Sequence, residues 1–334
     1  MTDDHDPLWD PRREGDDPLL VALRARLAPL SIEARGRAQW QMPRTSRTRR
    51  RRVIAVLAAA ASVLAVLVAL HHRLQWDVGM AWTVRQVAAI PAHSTVAPGQ
   101  RVATGNAGPA MIDVARIGRI ELSADSAMTL VETRARHHRV ALEYGHLRAR
   151  IWAPPGDFGL LDADAEIIDL GCDFDVWKTV DGSGRLFVRS GWIAWRYGAH
   201  ERLVPEGFGL RFAEGRTTTP LRADASRALV DAVEAIDAAR AEGVTPSTEL
   251  DARAAAVADA ASAADAITLL SLLTEQPALA SGPIYERLAQ VWGIAPDALH
   301  RRAWASGDRA AVDAWWARLP RPPKRWWLHW RDAL

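Results

Sequence analysis

Residues 140–151 read Val-Ala-Leu-Glu-Tyr-Gly-His-Leu-Arg-Ala-Arg-Ile. Val140, Leu142 and Tyr144 alternate with Ala141 and Glu143; Leu147, Ala149 and Ile151 then alternate with Arg148 and Arg150. A period of two sends successive side chains to opposite faces of a strand. Gly145-His146 between the two runs has the length of a tight turn. The stretch therefore predicts two strands folded back as a hairpin.

The same period extends on both sides, from about residue 80 to 215. Ile112 and Val114, then Ile120 and Leu122, are short alternating runs. Ile168, Leu170, Cys172, Phe174 and Val176 make the clearest single strand, with Asp169, Gly171, Asp173, Asp175 and Trp177 on its other face. Asp181-Gly182-Ser183-Gly184 is a turn, and further strands follow at 186–189, 192–197 and 208–212. Short strands at even spacing with glycine punctuation predict an all-β domain of layered antiparallel strands, either a sandwich or a short solenoid.

Beyond a linker at 216–222 the period becomes helical. Leu229, Val233 and Ile236 share one face, and Ser281 is placed to cap a helix from Pro283 to Trp292. Two further short helices are expected at 307–319 and 323–331. Residues 223–334 thus form a Trp-rich all-α region. Of its tryptophans, Trp315-Trp316 and Trp326-Trp327 with Trp330 suit a helical core better than a binding platform, with one of each adjacent pair partly exposed.

Upstream, Val53–Leu70 reads VIAVLAAAASVLAVLVAL, with no charge and Ser62 as its one polar residue. Eighteen residues at about 1.5 Å each reach about 27 Å, close to the hydrocarbon thickness of a bilayer. No polar stripe breaks it, as one would in a core helix. It is expected to cross a membrane. Arg44, Arg47, Arg49, Arg50, Arg51 and Arg52 crowd its N-terminal side, whereas Arg73 alone is charged just past the other end. The positive-inside rule then puts residues 1–52 in the cytoplasm and the rest across the membrane. Within that tail, Leu19, Leu20, Leu23, Leu27 and Leu30 recur at helical spacing, a candidate docking helix for a cytoplasmic partner. Residues 71–79 are a juxtamembrane linker. The whole is α+β and multidomain.

Composition removes several classes of function. The net charge of +2 over 334 residues gives no electrostatic case for nucleic acid, because the basic run is fused to an apolar span and marks topology. Cys172 is the only cysteine, so neither an intramolecular disulfide nor a cysteine zinc site can form. Cys172 reads as a small buried residue. His137-His138 reads as a solvated turn, since neighbours in a strand cannot share a metal. Asp162, Asp164 and Glu166 read as a solvent-facing edge, and Asp169, Asp173 and Asp175 as solvated. There is no P-loop, no dinucleotide fingerprint and no Ser-His-Asp order. No catalytic residue, metal or cofactor is expected, and the chain is read as a non-enzyme.

Several pieces of the β region, in order, carry a family resemblance. They are Ala110-Met111-Ile112, Gly118 to Leu122, Leu142-Glu143-Tyr144-Gly145-His146-Leu147, Gly171-Cys172-Asp173-Phe174-Asp175-Val176, Val188 to Ala194 with Ser190-Gly191-Trp192, and Val204-Pro205-Glu206-Gly207. Together they resemble the FecR-type domain of bacterial transmembrane regulators. Cys172 stands where the family usually has threonine. The resemblance gives Gly145, Gly171, Cys172, Phe174, Val176, Gly191 and Gly207 structural roles. It implies an inner-membrane protein whose periplasmic domain senses a signal and relays it to a cytoplasmic sigma factor, as anti-sigma regulators do. The partners it implies are the lipid bilayer, that sigma factor, and an envelope protein or receptor. Two departures are the short tail of residues 1–52 and the helical C-terminal region. The alternative function is an anchored envelope protein that binds peptidoglycan or another protein without signalling.

Overall fold

The computed structural model describes residues 18–27, 47–74, 76, 78–86, 94–198, 200–214, 216–243 and 248–319. The chain divides into two compact units, Met1–Arg73 and Leu74–Leu334.

In the first unit, α1 (Pro18–Leu27) presents Leu19 and Leu23 as exposed side chains. Leu30, and the side chain of Leu20, lie outside the described residues. The second helix, α2 (Arg47–Leu74), is 28 residues long. It takes in the arginine run and continues past Leu70 into the segment expected to be a linker. The side chains of Arg49, Arg50, Arg51 and Arg52 lie outside the described residues. Among the described residues, no helix is long and apolar enough to cross a membrane. Side chains in α2 are described at 54–66 and at 68.

The second unit begins with the strands. They are β1 (Trp82–Gln86), β2 (Ser94–Val96), β3 (Arg101–Ala103), β4 (Ala110–Val114), β5 (Gly118–Leu122), β6 (Ala127–Arg134), β7 (His137–Ile151) and β8 (Phe158–Asp162), followed by β9 (Ala165–Asp169), β10 (Asp173–Lys178), β11 (Gly184–Ser190), β12 (Trp192–Tyr197), β13 (His200–Pro205), β14 (Phe208–Ala213), β15 (Arg216–Thr217) and β16 (Leu221–Arg222). They fold into two layers. One has the order β3-β6-β7-β8-β9-β12-β13, and the other β2-β1-β4-β5-β7-β10-β11-β14, with β15 and β16 on β14. Phe158 meets Phe174 across the layers with ring centroids 6.4 Å apart, and Trp195 meets Phe212 at 4.8 Å. One shared apolar core fills the space between the layers. The fold is a β-sandwich, not a solenoid.

The expected hairpin at 140–151 does not form. Strand β7 runs unbroken for 15 residues and belongs to both layers. Its first half pairs with β6 and β8, its second with β5 and β10. Inward side chains are His138, Val140 and Leu142 before Gly145, then Leu147, Ala149 and Ile151 after it. Even positions become odd ones: the register against β6 slips by one residue opposite Leu142–Tyr144, and the strand passes from one sheet into the other at Gly145. Its φ is 97°, and a Cβ there would overlap the Ser126 side chain, whose Oγ accepts from His146 N at 3.0 Å. Only glycine meets both conditions without cost.

The strand expected over 168–176 is also two. The chain leaves one sheet at Asp169, turns through Gly171, and enters the other at Asp173. Gly191 and Gly207 stand at two further crossings, from β11 to β12 and from β13 to β14. At Gly191 (φ 81°) a Cβ would overlap the Gly171 carbonyl, so these two corners pack directly together. The chain passes from one layer to the other between β2 and β3, β3 and β4, β5 and β6, and β7 and β8, and also at Gly145, Gly171, Gly191 and Gly207. Phe174 and Val176 fill the core beside them.

Two other expectations need correction. The layers are not wholly antiparallel, because His138–Ala141 pairs parallel with Phe158–Leu161. A parallel pair needs a long crossover, and here the second half of β7 supplies most of it. Nor is 216–222 a free linker: it holds β15 and β16, and Thr219 is fully buried.

The helical region comprises α3 (Arg227–Ala241), α4 (Thr248–Ala260), α5 (Ala266–Glu275), α6 (Pro283–Val291), α7 (Ala298–Ala305) and α8 (Arg309–Trp316). Ser226 caps α3 by accepting from Leu229 N at 3.2 Å. Gly282, not Ser281, stands at the cap of α6, because residues 277–281 form a separate 3-10 turn. Trp304 and Trp315 are core residues, with Trp304 Nε1 donating to Leu273 O at 2.9 Å. Trp316 stays partly exposed and donates to Thr274 Oγ1 at 2.9 Å. Trp326, Trp327, Trp330 and the helix expected at 323–331 lie outside the described residues.

Candidate functional site

Outward residues on adjacent strands fall into register. His146 on β7 stands opposite Trp177 on β10, Trp177 opposite Arg185 on β11, and Arg185 opposite Arg211 on β14. Residues directly opposite have Cβ atoms about 5 Å apart, so the four make a continuous row across the outer face of the sheet. The His146 and Trp177 rings stack at 4.6 Å with 5° between planes. The Arg185 guanidinium lies 4.0 Å from the Trp177 ring centroid, a cation–π contact. Arg211 pairs with Glu234 of α3 at 2.7 Å.

This row is one wall of a cleft of about 1650 Å³. The opposite wall is α3, and the floor includes Trp195 and Phe212. Six cations line the cleft (Lys178, Arg185, Arg202, Arg211, Arg216 and Arg240) against four acids (Glu214, Glu234, Asp237 and Glu275), an excess of two positive charges.

The base of the cleft is fixed by a buried ionic network. Arg202 donates to Thr217 O at 2.9 Å and Thr218 O at 2.6 Å, and pairs with Glu275 of α5 at 2.9 Å. Arg240 reaches Glu275 at 3.4 Å and Asp237 at 3.3 Å. Asp237 in turn accepts from Thr219 N at 2.7 Å. Burial pushes the Arg202 guanidinium below its ordinary pKa, and Glu275 opposes that. These bonds tie α3 and α5 to the sandwich, so the cleft has rigid walls.

Behind the row, His146 is held from both sides. Its Nδ1 is 2.7 Å from Ser123 Oγ and its Nε2 2.8 Å from Asp175 Oδ1. The sequence shows no such order, yet the fold assembles one. Asp175, expected to be solvated, is fully buried and also receives Arg189. Burial raises the Asp175 pKa, but the bonds from His146 and Arg189 outweigh it and hold the carboxyl below its usual value. An acid already neutralised by an arginine is a positioning group here: it fixes the imidazole plane that stacks on Trp177.

The other acids read as solvated are also engaged. Asp169 is fully buried in the corner before β10 and accepts from Gly171 N at 3.0 Å and Cys172 N at 2.9 Å. The Cys172 thiol donates to the same carboxylate. Burial, and then Asp169, push that thiol well above its ordinary pKa, which leaves it protonated and unreactive. Asp173 pairs with Arg148 at 2.8 Å, Asp162 with Lys178 at 2.6 Å, and Glu166 with Arg139 at 2.5 Å. Among the described residues, no group of three His, Cys, Asp or Glu side chains is placed to hold a metal.

His137-His138 is no turn. Both begin β7; His137 Nε2 faces Glu132 at 3.2 Å, and His138 is buried. Trp82 Nε1 donates to Thr133 Oγ1 at 2.9 Å, so the hydroxyl proton is free to point at His138 Nδ1, 2.7 Å away. Nδ1 then accepts, and the imidazole is neutral. Burial, reinforced by Arg139 and His137, lowers its pKa to about 4.

No family model matches this chain, and no curated protein does. Two crystal structures of a "putative anti-sigma factor" from Parabacteroides distasonis, at 2.50 and 1.65 Å, are similar to it at 16% identity, with TM-scores of 0.32 and 0.33. Each match covers 40% of this chain and 63% of the other, so it spans less than two thirds of those proteins.

Proposed function

We propose that this is a single-pass inner-membrane regulator and not an enzyme. Its periplasmic sandwich engages an envelope signal, and residues 1–52 engage a cytoplasmic partner, a sigma factor or another regulator. The observation that carries this reading is α2. It contains the uncharged sequence run Val53–Leu70, on which the expectation of a span rests. Seven large apolar side chains between Ile54 and Val68 are exposed. Burying such a side chain away from water gains about 1.5–3 kcal/mol, and lipid supplies that gain. The arginines at one end set the orientation. Gly145, Gly171, Gly191 and Gly207, each at a layer crossing, support the FecR-type reading of the sandwich.

Reporter fusions active on only one side of the membrane, placed at residue 40 and after residue 80, test the topology. Both the full chain and a version with residues 1–40 replaced are then purified from membranes. A cytoplasmic regulator should come with the first and not with the second. Equal recovery from both, or from neither, overturns the relay and favours an anchored envelope protein.

A further inference from the structure

The row His146–Trp177–Arg185–Arg211 carries more than packing requires. Two arginines stand directly opposite each other on neighbouring strands, an arrangement that is unfavourable unless an anion joins them. Arg211 already holds one carboxylate, that of Glu234. Arg202 and Arg240 are paired with Glu275 and Asp237, and Lys178 with Asp162. Among the described residues, Arg185 has the Trp177 face for a partner and no carboxylate. Arg216 stands opposite Ala213, the next outward position along β14, and also lines the cleft. Neither Arg185 nor Arg216 has an acidic partner among the described residues. A carboxylate at Arg185 would gain a charge-assisted bond and relieve the arginine pair.

We propose that this row is the docking site for an acidic segment of a partner protein. Its carboxylates seat on Arg185 and Arg216, and an apolar side chain between them packs against the partly exposed Tyr197. Size decides for a peptide over a small molecule. At about 1650 Å³ the cleft exceeds the roughly 300–1,000 Å³ of ordinary small-ligand pockets. Charge decides the sign: among the described residues Arg185 and Arg216 are unmatched against the single unmatched acid Glu214, a net of one positive charge. The inference is independent of the relay, because it concerns the sandwich and the helices beside it and not residues 1–52.

The test uses the full chain in detergent and a fluorescein-labelled decapeptide of alternating Glu and Leu, read by anisotropy. Versions with Gln or Lys in place of Glu are the controls. The Glu peptide should bind about tenfold or more tighter than the Gln peptide, with an affinity that falls as salt rises. Replacing Arg185→Gln and Arg216→Gln together should remove that preference. Arg196→Gln, an exposed arginine on β12 paired with Glu201, matches the first charge change outside the cleft and should leave binding in place. Thermal melts establish that each variant is folded. Equal binding of the Glu and Gln peptides overturns the proposal, as does an unchanged preference in a folded double variant. Complete displacement by free glutamate also overturns it, in favour of a small-anion site. None of these outcomes bears on whether residues 1–52 hold a cytoplasmic partner.

Discussion

Two of the three histidines on strand β7, eight positions apart, each lie beside a tryptophan and bond to a hydroxyl. His138 faces Trp82 and Thr133 inside the core; His146 faces Trp177 and Ser123 on the outer face of the other sheet. In an uninterrupted strand, two residues an even number apart point to the same face. The register slip at Leu142–Tyr144 and the turn at Gly145 reverse that parity. One histidine becomes a dry, neutral part of the core, and the other a rigid support for a surface row. Identical chemistry is given two jobs by the backbone between them.

Gly145→Ala attacks the device that separates them. The substitution forces an L-residue to positive φ and drives its Cβ into Ser126. Backbone strain and overpacking together cost about 4 kcal/mol. Urea denaturation should show this loss, and a change below about 1 kcal/mol would mean the strand crosses layers without needing glycine.

Acid sharpens the contrast. His138 has an ordinary pKa of 6.5 when unfolded and about 4 when folded, so the unfolded chain binds the proton first. Its contribution is complete above pH 6.5 and is lost as pH falls toward 4, about 3 kcal/mol in all. His138→Gln should remove that slope in denaturation curves taken across the window. Asp175 acts lower. Its folded pKa lies below the ordinary 3.8, so its contribution is intact above that value and fades only beneath it. Asp175→Asn should therefore cost about 2 kcal/mol at neutral pH and leave the slope between pH 6.5 and 4 unchanged. If Asp175→Asn flattens that slope, the two histidines are not independent.

Much of the sandwich was legible in residue order. The strands 186–189, 192–197 and 208–212 and the helical faces of Leu229, Val233 and Ile236 all follow from local pattern. The route of the chain between layers does not. Gly145-His146 is locally compatible with a two-residue turn, and only the flanking partners β5 and β10 decide for a crossing between sheets. Asp169 and Asp175 look solvated because a strand pattern reports which face a residue is on, not what covers that face. The row His146–Trp177–Arg185–Arg211 is assembled from four separate strands, and register between distant strands is not written in any one of them. The alternation did mark each of these residues as outward, a usable signal once pairing is known.

The smallest effects separate support from recognition. Trp177→Ala removes both the face on which His146 stacks and the one on which Arg185 lies, and should cost about 1 kcal/mol. For Arg185→Gln two terms oppose. Loss of the exposed cation–π contact costs about 0.5–1 kcal/mol, while relief of the charge facing Arg211 returns a similar amount. The expected net change in unfolding free energy is within about 0.5 kcal/mol of zero. A residue so nearly neutral for folding, held in a fixed place by the tryptophan beneath it, leaves its charge available for something outside the molecule. Were Arg185→Gln to cost as much as Trp177→Ala or more, its charge would be spent on the fold, and the row would be a structural ladder like the one around His138.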